Sequence, residues 1–356
     1  MSTFFFAAAV FLPLIVLLVL HETGGLQVLV RRLTPTGRAL ERNKAGMALF
    51  HRGGYVAAVA EFTDALRLHP RLAAALTNRG VAYYHLGKLD EARADLDAAL
   101  SLAPNLVDAI SWRGLILAQQ GGHERALEDL DRAIALGARE GVHFATRGGI
   151  LLAKNDYDRA LSDCTEAILR GSSGAADFSN RGMAYLGKGD CERAIADFDE
   201  AIRRDERCGL AFNNRGVALL KQGAYARASA DFHEAMRLSP SLPNPYKNLA
   251  WLMATCPQAE FRDGASAVAQ AQKALQLVDQ KVTEWFGILA AAYAEAGDFA
   301  QAIAWQTQCL DRSPAKMKKE LESRLDLYKS RRPYRETPDG ANKTTSIIAA
   351  RHSVRA

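Results

Sequence analysis

Residues 77–96 read TNRGVAYYHLGKLDEARADL, and residues 213–232 read NNRGVALLKQGAYARASADF. Each places an arginine and a glycine side by side and an aspartate sixteen residues after the arginine. The two stretches are samples of a longer rhythm. Glycine returns at 46, 80, 114, 148, 182 and 216, a period of 34 without a slip. Alanine returns in phase at 58, 92, 126, 160, 194 and 228, and again at 65, 99, 133, 167, 201 and 235. Pro70, Pro104 and Pro240 close three of the periods. Self-similarity at a fixed period of this size is the mark of a repeat architecture.

With each unit numbered 1–34 from Ala39, the small residues fall at places 8, 20 and 27. Larger apolar residues fall at place 24: Phe62, Leu96, Leu130, Cys164, Phe198 and Phe232. Places 4, 8 and 11 share one helix face, and places 20, 24 and 27 share a face of a second helix. Glycine at place 15, as in Gly87, Gly121, Gly189 and Gly223, supplies the turn between them. A helix pair of this kind cannot bury its apolar stripe alone, so successive pairs must stack.

These positions make the chain resemble a tetratricopeptide-repeat (TPR) protein, of the bacterial, membrane-anchored type with a divergent C-terminal repeat module. The resemblance implies an all-α, right-handed superhelical α-solenoid of helix-turn-helix units. Six regular units span 39–242 and two looser ones span 243–314, the first with five extra residues in its inter-helix loop. In 315–336 the residues Met317, Leu321, Leu325 and Tyr328 share a face, which reads as a capping helix for the last open surface. Residues 337–356 lack helical periodicity and are expected to be disordered.

Ahead of the repeats, Phe4–Leu20 (FFFAAAVFLPLIVLLVL) is apolar throughout, about 26 Å of helix at 1.5 Å per residue. A retained transmembrane anchor over 1–24 is expected, with a juxtamembrane linker over 25–38. The competing reading is a cleaved signal peptide, but the start carries no basic side chain and only Thr23/Gly25 offers a cleavage site. Arg31, Arg32, Arg38, Arg42 and Lys44 follow the apolar run, which by the positive-inside rule leaves the repeats in the cytoplasm of a bacterial inner membrane.

The remaining composition excludes more than it offers. Of 356 residues, 45 are basic and 40 acidic, and no Lys/Arg cluster marks one face, so no nucleic-acid partner is expected. Cys164, Cys191, Cys208, Cys256 and Cys309 form no C-x-x-C pair, which argues against a disulfide framework and a zinc knuckle. His21-Glu22 begins like H-E-x-x-H, but the second position is Gly25. No nucleophile elbow or phosphate loop occurs, so neither enzyme activity, cofactor nor metal is expected.

The arginine and aspartate recur together. Place 7 holds Arg79, Arg113, Arg147, Arg181 and Arg215, and place 23 holds Asp95, Asp129, Asp163, Asp197 and Asp231. The first, seventh and eighth units lack the arginine. Both places flank the buried stripes, where a half-buried charge needs a partner, so structural ion pairs are expected rather than ligand contacts.

TPR proteins resemble one another in binding a protein or peptide on the concave face lined by first-helix places 2, 5, 6, 9, 12 and 13. Here that face offers Asn43, Asn78, Asn180 and Asn214 as hydrogen-bonding groups. Phe50, Tyr84, Trp112 and Met183 are its apolar contacts, with Lys221, His51 and His85 near the edge. The carboxylate clamp of chaperone-binding relatives is not matched. From the first unit the corresponding run is Asn43, Met47, Asn78, Asp108 and Trp112, in which only Asn78 fits. The reading is a non-enzymatic, membrane-anchored scaffold, with an exported envelope assembly factor as the alternative.

Overall fold

A computed structural model describes residues 34–278 and 283–336. The expected anchor, residues 25–33 of the linker and the C-terminal tail 337–356 lie outside the described residues. Within the described residues are seventeen α-helices, one short 3-10 turn and no strand. They divide into two compact units after Arg139.

The first unit holds three helix pairs: α1 (Pro35–Phe50) with α2 (Tyr55–Leu68), α3 (Ala73–His85) with α4 (Leu89–Leu102), and α5 (Val107–Gln119) with α6 (His123–Ala135). The expected linker is shorter than 25–38. Thr34 Oγ1 accepts from Gly37 N at 3.0 Å, and Pro35 stands in the first turn of α1, so Pro35–Arg38 are helical. Proline is preset for that position because its φ is fixed and its missing N–H would be unsatisfied there anyway.

The second unit begins with α7 (Gly141–Ala153), α8 (Tyr157–Leu169), α9 (Ala175–Gly187), α10 (Cys191–Arg204), α11 (Gly209–Lys221) and α12 (Tyr225–Leu238). It continues through α13 (Pro243–Thr255), a 3-10 turn (Ala259–Phe261), α14 (Gly264–Gln276), α15 (Thr283–Glu295), α16 (Phe299–Arg312) and α17 (Ala315–Lys329). Within each unit every helix packs against the next, and the first helices of successive pairs also touch.

The periodic small residues form the seams. Ala58, Ala92, Ala126, Ala160, Ala194 and Ala228 are fully buried, as are the place-24 side chains opposite them. In the regular repeats place 8 is a close contact: a Cβ on Gly216 would lie 2.7 Å from Phe232 Cε1, whereas the looser seventh and eighth repeats carry Ala250 and Ala290 there. At the turn within every pair but the seventh the chain enters the left-handed region, with Gly87 at φ 73°. In the fourth pair Asn155 does the same at φ 60°, a conformation asparagine tolerates because its short polar side chain bonds locally.

The C-terminal end departs from the expected single helix over 315–336. In α17, Leu321, Leu325 and Tyr328 are buried against the last pair. The helix then stops at Lys329, Arg331 turns at φ 54°, and residues 332–336 run as a strap back over α13. Pro333 disfavours continued helix at the residue before it. Glu336 N donates to Thr255 O at 2.9 Å, and Trp251 Nε1 donates to Glu336 Oε2 at 3.0 Å. The Arg324 guanidinium, fully buried, lies 4.5 Å from the Tyr334 ring centre and 5.1 Å from that of Trp251. Arg335 and Arg262 both reach Glu295, at 2.6 and 3.2 Å.

Candidate binding surface

The recurrent arginines and aspartates meet within each repeat. Arg79 Nε and Nη2 donate to the two oxygens of Asp95 at 2.7 and 2.8 Å. Arg113–Asp129, Arg147–Asp163, Arg181–Asp197 and Arg215–Asp231 repeat this two-pronged geometry, every bond between 2.7 and 2.8 Å. The five carboxylates are buried. Paired, charge-assisted bonds of this type are roughly twice as strong as neutral ones, and hydrogen bonding to its carboxylate raises the pKa of Arg79, Arg113, Arg181 and Arg215.

A third partner was not visible in the repeat pattern. The outer Nη1 of Arg79 donates to Thr63 Oγ1 at 3.2 Å, that of Arg113 to Asp97 at 2.8 Å, and that of Arg215 to Asp199 at 2.6 Å. Thr63, Asp97 and Asp199 all stand at place 25 of the preceding repeat. Each such arginine therefore ties its own two helices together and joins its repeat to the one before. Its residue type varies between threonine and aspartate, so no single-letter track announced it.

The asparagines of the first-helix face are largely engaged. Asn78 Nδ2 donates to Asn43 Oδ1 at 2.9 Å, and Asn248 Nδ2 to Asn213 Oδ1 at 2.9 Å. Both are 35 residues apart, a place-6 amide bonded to the place-5 amide of the repeat before. Asn214 is not the open groove contact the sequence suggests. It is 2% exposed, and its Oδ1 accepts from Asn213, because α13 packs over the repeat that carries it. Asn180 is half-buried, Met183 packs on Ala194 and Phe198, and Lys221 ends α11 half-buried, where burial lowers its pKa.

In the first unit the remaining surface is aromatic. His85 stacks on Tyr55 with ring centres 4.7 Å apart and planes 9° from parallel. Phe50, Tyr84 and Trp112 meet the same imidazole at 5.3, 5.5 and 5.8 Å, and Tyr84 meets Trp112 at 5.2 Å. His51 touches the outer edge of Phe50. The imidazole of His85, though open to solvent on one side, has its pKa lowered by burial among these rings. Phe50, Tyr84 and Trp112 are thus brought together, while Asn180, Met183, Asn214 and Lys221 belong to the other unit. Among the described residues no three His, Cys, Asp or Glu side chains converge as metal ligands would, and no helix is long and apolar enough to cross a membrane.

Comparison with known proteins agrees with the period. Models of the tetratricopeptide repeat match residues 43–107, 179–243 and 286–316. A search of curated proteins found no match. Among solved structures, YrrB, described as a TPR protein with an unusual peptide-binding site, is 21% identical. That match covers 50% of this chain and 92% of the other, with a TM-score of 0.46. A tetratricopeptide repeat protein from Parabacteroides merdae is 16% identical, covering 82% and 99% at a TM-score of 0.44. The APC/C hetero-tetramer Cut9–Hcn1 is 16% identical, covering 70% of this chain and 54% of that one at a TM-score of 0.51. At these identities the likeness concerns the fold. The 34-residue period, the Gly/Ala seams and the matched segments lead to one conclusion: this chain carries tetratricopeptide repeats.

Proposed function

We propose that this protein is a non-enzymatic adaptor that holds a protein or peptide partner on the first-helix face of its repeats while anchored to a membrane by Phe4–Leu20. The observation that supports the binding role most strongly is the half-exposed aromatic cluster of Phe50, Tyr84, His85 and Trp112 on that face of the first unit, joined by Tyr55 from the start of α2. Aromatic side chains give large contact area at low conformational cost and are enriched where proteins bind one another. The arginine–aspartate pairs are engaged in holding the repeats together, so the aromatic cluster rather than the ladder is the group of neighbouring side chains available to a partner here. Tethering such a surface raises the local concentration of whatever it binds at the membrane.

The binding role is tested by crosslinking and pull-down from cells with the full chain, compared with Trp112→Ala and Asn180→Ala variants. A specific partner retained by the wild type and weakened by Trp112→Ala supports the reading, and equal capture by all three proteins contradicts it. Placement of the repeats in the cytoplasm rests on the basic residues 31–44. A reporter active only in the periplasm, fused after residue 356, should be silent; activity would favour the exported assembly factor instead.

A further inference from the structure

The aromatic cluster of the first unit carries more detail than an apolar patch would. Its rings are uncovered by the chain's own cations. Elsewhere such contacts are common: Arg79 and Lys88 approach Tyr83, each at 5.9 Å from its centre, Arg193 lies 4.6 Å from the Tyr185 centre, and Arg170 4.9 Å from that of Phe144. Among the described residues no lysine or arginine lies over Phe50, Tyr55, Tyr84 or Trp112. Tyr84 and Trp112 meet at a tilt of 58°, and both rings are only partly buried.

One turn before Trp112 on α5 stands Asp108, exposed and without an ion pair or hydrogen bond among the described residues. At a spacing of i, i+4 the two side chains share a helix face and are neighbours on it. An acid in the first turn also suits the helix dipole, so Asp108 alone would indicate nothing. Beside an uncovered indole it completes a box: a carboxylate at one end, π faces along the wall. His85 does not oppose a cation there, since the surrounding rings favour its neutral form.

From this arrangement we infer that the first unit takes an arginine or lysine side chain of the partner peptide, with the cation against Trp112 and Tyr84 and its charge met by Asp108. A cation over an aromatic face gains from the ring quadrupole, and tryptophan is the best such face. The inference rests on the peptide-binding reading above and specifies its ligand chemistry.

The test uses the full-length protein in detergent, panned with a random dodecapeptide phage library. Synthetic peptides then carry arginine, norleucine or glutamate at the enriched position, and binding is followed by fluorescence anisotropy. Arginine should bind about 5–10-fold more tightly than norleucine, the scale of a partly desolvated cation–π contact with its counter-charge. Asp108→Asn, an exposed change that leaves packing alone, should remove most of that preference while leaving the norleucine peptide's affinity unchanged. Trp112→Phe should reduce it partially. Equal binding of arginine and norleucine peptides, or less than a twofold response to Asp108→Asn, would overturn the cation inference while leaving peptide binding in place. If no peptide binds the wild-type protein, the peptide-binding reading falls, and this inference with it.

Discussion

Asp197 illustrates what a single repeat position contributes. Its carboxylate is buried and bonded twice to Arg181, itself only partly open to solvent. Removing one partner of such a pair leaves the other's charge poorly solvated, which costs more than the pair gains by existing. Asp197→Ala should therefore destabilise the protein by about 2–3 kcal/mol, below the cost for a sealed pair because water still reaches the guanidinium. Replacing both residues by apolar ones should recover most of that loss. Urea melts of the two single variants and the double variant measure the coupling, and additive losses would show that the pair does not act as one. Because the carboxylate hydrogen bond raises the arginine pKa, the guanidinium is charged in both folded and unfolded chains below its ordinary value. Its contribution is complete there and is lost as pH rises from the ordinary arginine value through the raised one. At the same scale, burial pushes the Cys164 thiol up to about 12, whereas Cys191 and Cys208 are partly exposed. Alkylation of the native protein at pH 8, read by mass spectrometry, should reach Cys208 and Cys191 well before Cys164. Early labelling of Cys164 would mean that the fourth repeat opens locally.

Among the elements, the regular helix pairs were legible because each repeats the same physical requirement. A close helix contact with glycine at place 8 and alanine at places 20 and 27 writes itself into the sequence six times. The strap over α13 had no such redundancy. Trp251 and Glu336 lie 85 residues apart and meet once, so no period marks them, and the apolar face of α17 made residues 315–336 look like one uninterrupted helix. The amide pairs Asn43–Asn78 and Asn213–Asn248 did leave a signal, two asparagines at a spacing of 35. It is easily passed over because the period itself is 34. The strap makes an element-scale prediction. Glu336→Ala leaves the buried indole N–H of Trp251 without its acceptor, at a cost of about 1–3 kcal/mol. Hydrogen exchange should show the loss in α13 and α17, with α7–α10 unaffected. Faster exchange spread evenly over the second unit would mean that the strap is not a local clasp.

For the whole molecule, the division of labour follows from where charge and aromatic surface are placed. Ion pairs and small-residue seams run through the repeats of both units, whereas the open aromatic cluster occurs in the first, which follows the proposed anchor in the chain. The second unit's first-helix face is more closed, with Asn213, Asn214 and Asn248 buried and the strap lying over α13. The most direct test places a photo-crosslinking benzoylphenylalanine, in cells, at Tyr84 or Asn180 on the first-helix face and at Val56 or Leu169 on the second helices. Val56 and Leu169 are 73% and 75% exposed and so fully able to react. The account predicts a discrete protein adduct from Tyr84, one or none of the same mass from Asn180, and no discrete adduct from the second-helix sites. Adducts confined to Val56 and Leu169, or equal at all four positions, would contradict it.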